Sequence, residues 1–210
     1  MAEIEIRSMV LGMVGTNVFL LMNRDTKELI IIDPADNAGA IEEQIRACGG
    51  KPVAILLTHG HFDHIMAAED LRETYGIDIY AEQSEEEILT DPRKNLSGMW
   101  GSSYVLHADK FFHGGDVLEI GGMQIHVLHT PGHTLGSCCF YLPDDKVLFS
   151  GDTLFYGSHG RIDFPTSSMA QMRNSVHRLL TELPDDVNVL PGHEMFTQIG
   201  FEKRYNPLAP

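Results

Sequence analysis

Four times in this 210-residue chain an apolar run ends in a turn or polar residue and then in a potential metal ligand. The runs are Ile55-Leu56-Leu57-Thr58-His59, Val127-Leu128-His129-Thr130-Pro131-Gly132-His133, Val147-Leu148-Phe149-Ser150-Gly151-Asp152 and Val189-Leu190-Pro191-Gly192-His193. Short apolar runs bounded by turn residues read as buried strands. Four strand ends would then point imidazole or carboxylate groups at one edge of the fold, where a sheet fixes the positions of the loops it carries.

The first run leads into the densest cluster, Thr58-His59-Gly60-His61-Phe62-Asp63-His64. His59 and His61 are two apart and project to one side of an extended backbone, while Asp63 and His64 fall where the chain turns into a helix. Together the runs and the cluster supply His59, His61, Asp63, His64, His133, Asp152 and His193, with no thiolate. A tetrahedral ion takes four donors and a catalytic one keeps a position for water, so seven groups call for two ions with one carboxylate shared. The expected grouping is His59, His61 and His133 on one ion, Asp63, His64 and His193 on the other, and Asp152 between them. Nitrogen and oxygen donors suit zinc, and iron or manganese as alternatives.

Elsewhere, Glu3–Val10, Asn17–Met22 and Leu29–Ile32 read as strands, Ala38–Cys48 as a helix ended by Gly49-Gly50, and Val53–Leu57 as the strand delivering the cluster. A helix over Asp63–Tyr75 is expected, then an acidic, solvated helical piece with Glu82, Glu85, Glu86 and Glu87, then a core-packed loop over Asn95–Ser103 that carries Met99 and Trp100, with a substrate lid as the alternative for this region. The later chain is strand-rich (Asp116–Ile120, Met123–Leu128, Ser137–Leu142, Lys146–Ser150), with a helix over Ser168–Leu183 before the strand Val187–Leu190. The length fits one domain, residues 1–210, around a core of two or three packed layers.

A net charge of −15 disfavours nucleic acid, whose affinity for proteins comes mainly from clustered Lys and Arg. No stretch approaches the ~18 apolar residues of a membrane-spanning helix, and Met1–Val10 alternates like a strand rather than a signal peptide, so a cytoplasmic protein without a membrane partner is expected. Cys48, Cys138 and Cys139 fit a reducing compartment, and the adjacent pair reads as small strand residues.

With Asp33-Pro34, the His59–His64 cluster, Gly132-His133, Gly151-Asp152 and Gly192-His193 in order, the chain resembles the metallo-β-lactamase superfamily over nearly its full length. The resemblance implies a four-layer α/β (α+β) fold, an αββα sandwich of two mixed sheets flanked by helices, with a two-ion site at one edge. It implies that Asp33 holds a ligand histidine by hydrogen bonding. It also implies hydrolysis of an activated acyl bond by a metal-bridging hydroxide, with Asp63 orienting that group or passing its proton to the leaving group.

The loop Asp152–Phe164 looks like the glyoxalase II branch, which hydrolyses hydroxyacylglutathione thioesters. That branch has Lys where Arg161 stands, as a glutathione clamp, and Tyr where Asp163 stands. Arg161 is the expected substrate anchor, or else a structural partner of Asp163, and His159 is a further pocket residue. Seventeen residues follow His193, which resembles the small hydrolases of the branch that lack its helical C-terminal domain; Lys203 and Arg204 read as a solvated tail. His129 is a candidate support for the His133 turn, while His107, His113, His126 and His177 are expected to have no catalytic task. A small-molecule thioester is therefore the expected partner. A persulfide dioxygenase using one iron on His59, His133 and Asp152 is the alternative from another class, along with a hydrolase of another small ester or lactone.

Overall fold

Strands with unbroken apolar runs, such as Val18–Met22 and Leu29–Ile32, can be satisfied only if both faces are covered, and the chain does this with successive side chains. In β2 (Thr16–Asn23), Val18, Leu20 and Met22 enter one hydrophobic cluster while Phe19 and Leu21 enter another; in β3 (Glu28–Ile32), Leu29 and Ile31 divide from Ile30 and Ile32 in the same way. The computed structural model describes residues 3–101 and 103–209, without the Trp100 side chain.

One sheet has the order β1 (Ile4–Leu11), β2, β3, β4 (Lys51–Leu56), β5 (Asp78–Glu82), β6 (Lys110–Phe112). Its first three strands are antiparallel and β3 to β6 run parallel. The other has the order β14 (Thr197–Gln198), β13 (Asn188–Pro191), β10 (Val147–Gly151), β9 (Cys138–Leu142), β8 (Met123–His129), β7 (Val117–Ile120), with only β10 and β13 parallel. Phe19, Ile30, Leu56, Phe140 and Phe149 fill the space between the sheets. Helices α1 (Ala38–Cys48) and α3 (Ala68–Tyr75) cover the first sheet through Ile41, Ile45 and Leu71, and α5 (Met169–Glu182) covers the second through Met172, Val176, Leu179 and Leu180. The architecture is the expected αββα sandwich of two mixed sheets.

Cys138 faces the inter-sheet core and Cys139 the α5 side, so the neighbours point apart, and all three cysteines are free. Among the described residues no helix is long and apolar enough to cross a membrane.

Several expectations need correction. The helix over Asp63–Tyr75 is two helices, α2 (Phe62–Ile65) and α3, because the Ala67 N–H goes to Pro34 O at 3.0 Å instead of continuing the α2 ladder. The acidic piece, a 3-10 turn at Gln83–Glu85 and α4 (Glu86–Thr90), is not simply solvated: Glu82 and Glu85 are buried. In the Asn95–Ser103 loop Asn95, Leu96 and Ser97 are buried but Met99 is 72% exposed; the Trp100 side chain and Ser102 lie outside the described residues. The tail is not loose either. It forms α6 (Ile199–Tyr205), where buried Glu202 accepts from Gly157 N and Thr197 Oγ1, and Lys203 donates to Leu183 O and Asp185.

Candidate metal centre

The carboxyl ends of β4, β8, β10 and β13 converge, and the loops after them place all seven sequence-derived groups together. Ligand-type atoms of His59, His61 and His133 lie within 4.8 Å of one another, as do those of Asp63, His64 and His193. Asp152 sits between the two sets: its Oδ2 is 3.4 Å from His133 Nε2 and 3.6 Å from His193 Nε2, and its Oδ1 is 3.4 Å from His64 Nε2.

Hydrogen bonds around the cluster fix which nitrogen each ring turns inward. Asp33 accepts from Thr58 N at 2.8 Å, Thr58 Oγ1 at 2.6 Å and His64 Nδ1 at 2.9 Å. Having given its proton to Asp33, Thr58 Oγ1 accepts from His59 Nδ1 at 3.1 Å. The Arg161 carbonyl accepts from His133 Nδ1 at 2.7 Å. His59, His64 and His133 therefore all turn Nε2 toward the centre. Asp33 orients two of the three, one directly and one through Thr58, and it does so from a left-handed backbone conformation (φ 50°).

The lone pairs are what test the fit to a cation. His59 Nε2, His61 Nε2 and Asp152 Oδ1 are buried without a hydrogen bond, a costly state that a bound cation relieves. His61 Nδ1 and His133 Nε2 face each other at 2.8 Å. Burial, reinforced by the neighbouring imidazoles, pushes His59 and His61 well below the usual histidine range, so both stay neutral and able to donate lone pairs. Burial also opposes charge on His64, but Asp152, Asp63 and Asp33 together override it and hold His64 well above that range. Burial likewise opposes ionisation of Asp152, yet His64, His193 and His133 together hold it well below the carboxylate range. The half facing three carboxylates favours positive charge and the other half offers neutral nitrogens. These residues suit two divalent cations.

Residues outside the motifs position the loops. Glu85, fully buried, accepts from Gly60 N (2.6 Å), between His59 and His61, and from Thr134 Oγ1 and Gly136 N (both 2.7 Å), just after His133. One carboxylate thus ties two ligand loops together. A Cβ on Gly136 would lie 2.8 Å from Glu85 Oε1, so the glycine permits the approach. Asn17 at the head of β2 secures the His193 loop through Pro191 O (2.9 Å) and Glu194 O (3.1 Å). On the α5 side, Ser175 Oγ and Ser167 Oγ donate at 2.7 Å to Pro131 O and His133 O. There Gly132 (φ 146°) lies so close to the Met172 backbone that no side chain fits.

A cavity of about 520 Å³ opens over the centre, and Asp63, His159 and Arg161 all line it. Of the two expectations for Arg161 the structure shows the pairing with Asp163, through Nε (2.9 Å) and Nη2 (2.7 Å), on a residue that also lines the cavity. His159 Nδ1 donates to Gly160 O. His129 is spent on Leu135 O at 3.0 Å, bracing the turn rather than touching a ligand. His107, His113 and His177 are exposed and His126 is half-buried, none of them lining this cavity.

The family model of the metallo-beta-lactamase superfamily matches residues 11–193. The chain is 34% identical over 186 residues to hydroxyacylglutathione hydrolase GloC of Haemophilus influenzae, covering 87% of this chain and 88% of that protein. It superposes on the crystal structure of BLEG-1 B3 metallo-beta-lactamase with a TM-score of 0.91 and 37% identity, covering 97% and 98% of the two chains. The crystal structure of TTHA1623 in a di-iron-bound form gives 0.85 and 33%, covering 96% and 98%. This chain belongs to the metallo-beta-lactamase superfamily.

Proposed function

We propose that the protein is a dinuclear metal-dependent hydrolase that cleaves thioesters, hydroxyacylglutathione being one member of that class, and that it works in the reducing environment of the cytoplasm. The observation that carries the two-ion reading is the pair of ligand groups, His59/His61/His133 and Asp63/His64/His193, with Asp152 in reach of both. The activity of GloC supports the thioester reading. The nitrogen and oxygen donors suit zinc, iron or manganese, and the di-iron form of TTHA1623 supports iron. Two bound divalent ions would supply an activated water at neutral pH and a Lewis acid for the scissile carbonyl.

The chain's own residues do the rest. Asp33 and the Arg161 carbonyl hold the imidazoles in the tautomers described above. Asp63 lines the cavity, with its Oδ2 3.2 Å from His193 Nε2 and accepting from Thr16 Oγ1 at 3.4 Å. Burial opposes its ionisation, but His64 and His193 together keep the carboxyl below the usual range, so Asp63 stays ionised and Oδ2 is an acceptor able to orient an attacking water. Phe164, edge-on to His61 (5.5 Å) and His133 (5.9 Å), excludes water from that side.

A complete Asp63/His64/His193 set argues for hydrolysis over the single-iron dioxygenase. The test is thiol release from a thioester panel by protein as purified, after chelation, and after adding back Zn(II), Fe(II) or Mn(II). We expect release to vanish on chelation and return with metal. Oxygen consumption with glutathione persulfide and no thiol release from any ester would overturn the reading. BLEG-1 favours a second reading, β-lactam cleavage, which nitrocefin in the same panel checks.

A further inference from the structure

We infer that the substrate of this site is a thioester whose non-reacting part is uncharged and apolar, rather than an anionic one of the glutathione kind. The inference rests on the thioester reading above and specifies the substrate class within it.

The first observation is the fate of the one Lys or Arg among the residues lining the cavity. A guanidinium recognises a carboxylate through a fork of parallel N–H groups. In Arg161 that fork, Nε with Nη2, is already filled by the two oxygens of Asp163, and the guanidinium lies 4.2 Å over the Phe164 ring. An incoming carboxylate is left the outer Nη1 edge and meets the Asp163 charge beside it. Glu194 adds a further carboxylate to the lining, and no other side chain there carries a fixed positive charge.

The second observation is what the wall is made of. Val14, Phe62, Leu96, Met99, Phe155 and Phe164 line the space over the metal-facing side chains. Two of these apolar lining residues are also exposed, Met99 at 72% and Val14 at 44%. Exposed apolar side chains lining a cavity suit an apolar ligand, and methionine side chains adapt to flexible apolar groups. A glutathione moiety, with two carboxylates and one ammonium, finds Glu194 and the paired Arg161 as the charged side chains outside the centre, and Ser158 and His159 as the further polar part of a mainly apolar wall. An acyl chain or a neutral pantetheine-like thiol finds a matching one.

The test separates binding from chemistry by using unreactive thioethers with the same tail. Calorimetry on the metal-loaded protein compares S-hexyl-N-acetylcysteamine with S-hexylglutathione. We expect the neutral ligand to bind at least about tenfold tighter. In Asp163→Asn, which frees the Arg161 fork, the glutathione thioether should gain about fivefold, and the gain should shrink in high salt, while the neutral ligand changes less than twofold. Tighter binding of S-hexylglutathione by the native protein, or no gain in Asp163→Asn, would overturn the inference. A kinetic arm compares S-lactoylglutathione with acyl-N-acetylcysteamines from acetyl to hexanoyl, and kcat/KM should rise about tenfold or more along the acyl series. Preference for the neutral thioether without cleavage of any thioester would contradict the hydrolase reading and leave the apolar-ligand inference standing.

Discussion

Asp33, Glu85 and Asp152 are all buried carboxylates near one centre, and the partners of each decide what it does. Asp152 faces the imidazoles, Asp33 orients them from behind, and Glu85 holds the backbone that carries them. Glu85→Gln keeps the shape but turns one acceptor oxygen into a donor opposite an N–H or hydroxyl. Outer contacts of this kind are worth about 10- to 100-fold in metal affinity. We therefore expect Co(II) titration of Glu85→Gln to show at least tenfold weaker binding at the His59/His61/His133 site, with the far-ultraviolet spectrum unchanged. The same residue sets a pH dependence. Burial pushes the Glu85 carboxyl up to about 7, with Thr134, Gly60 and Gly136 pulling back toward the charged form. A raised acid binds its proton more tightly in the folded state, so its contribution to stability is complete below about 4.5 and is lost as pH rises through about 7. Thermal melts of metal-free protein should thus show the native chain losing stability relative to Glu85→Gln between those values. The candidate ligand cluster was legible in the sequence because His59, His61, Asp63 and His64 sit within six positions. Glu85 was not, because it lies in an acidic run whose other members Glu86 and Glu87 are exposed, and no local period separates the buried one.

At the scale of elements, strand ends and long helices were readable. The helix expected over Ser168–Leu183 is observed as Met169–Glu182, with Ser168 capping its start through Gln171 N. Its apolar face repeats at helical spacing and buries Met172, Val176, Leu179 and Leu180. Leu180→Ala should cost about 2–5 kcal/mol by cavity formation, measured by denaturant unfolding of the metal-free protein. Because Leu180 is a full turn or more beyond Met172 and Ser175, where α5 meets the His133 loop, metal affinity should stay within about twofold. Elements that escaped the sequence reading were short or mixed in polarity. β5 is five residues with an acid at each end, Asp78 and Glu82, and β6 is three residues with its first two exposed. The break between α2 and α3 depends on Pro34 O, more than thirty positions away, and no local pattern announces it.

For the whole molecule, the two sheets do one thing that neither does alone: the first delivers the His59–His64 cluster and the second delivers His133, Asp152 and His193. The cluster can hold two ions only when the sandwich closes, so metal content reports directly on the assembled site. The fold was legible because apolar strands of alternating destination demand cover on both faces. The pairing of Arg161 with Asp163, two positions apart, was one of two expectations for that residue, but the apolar character of the mouth was not legible, since it arises from loops that meet only in the folded chain. The central claim is that seven side chains form one two-ion centre with Asp152 shared. Elemental analysis of native protein and Asp152→Ala after metal loading, with thiol release assayed on the same samples, tests it most directly. We predict two ions per native chain, loss of at least one in Asp152→Ala, and loss of nearly all turnover. Unchanged metal content and activity in Asp152→Ala would contradict the account.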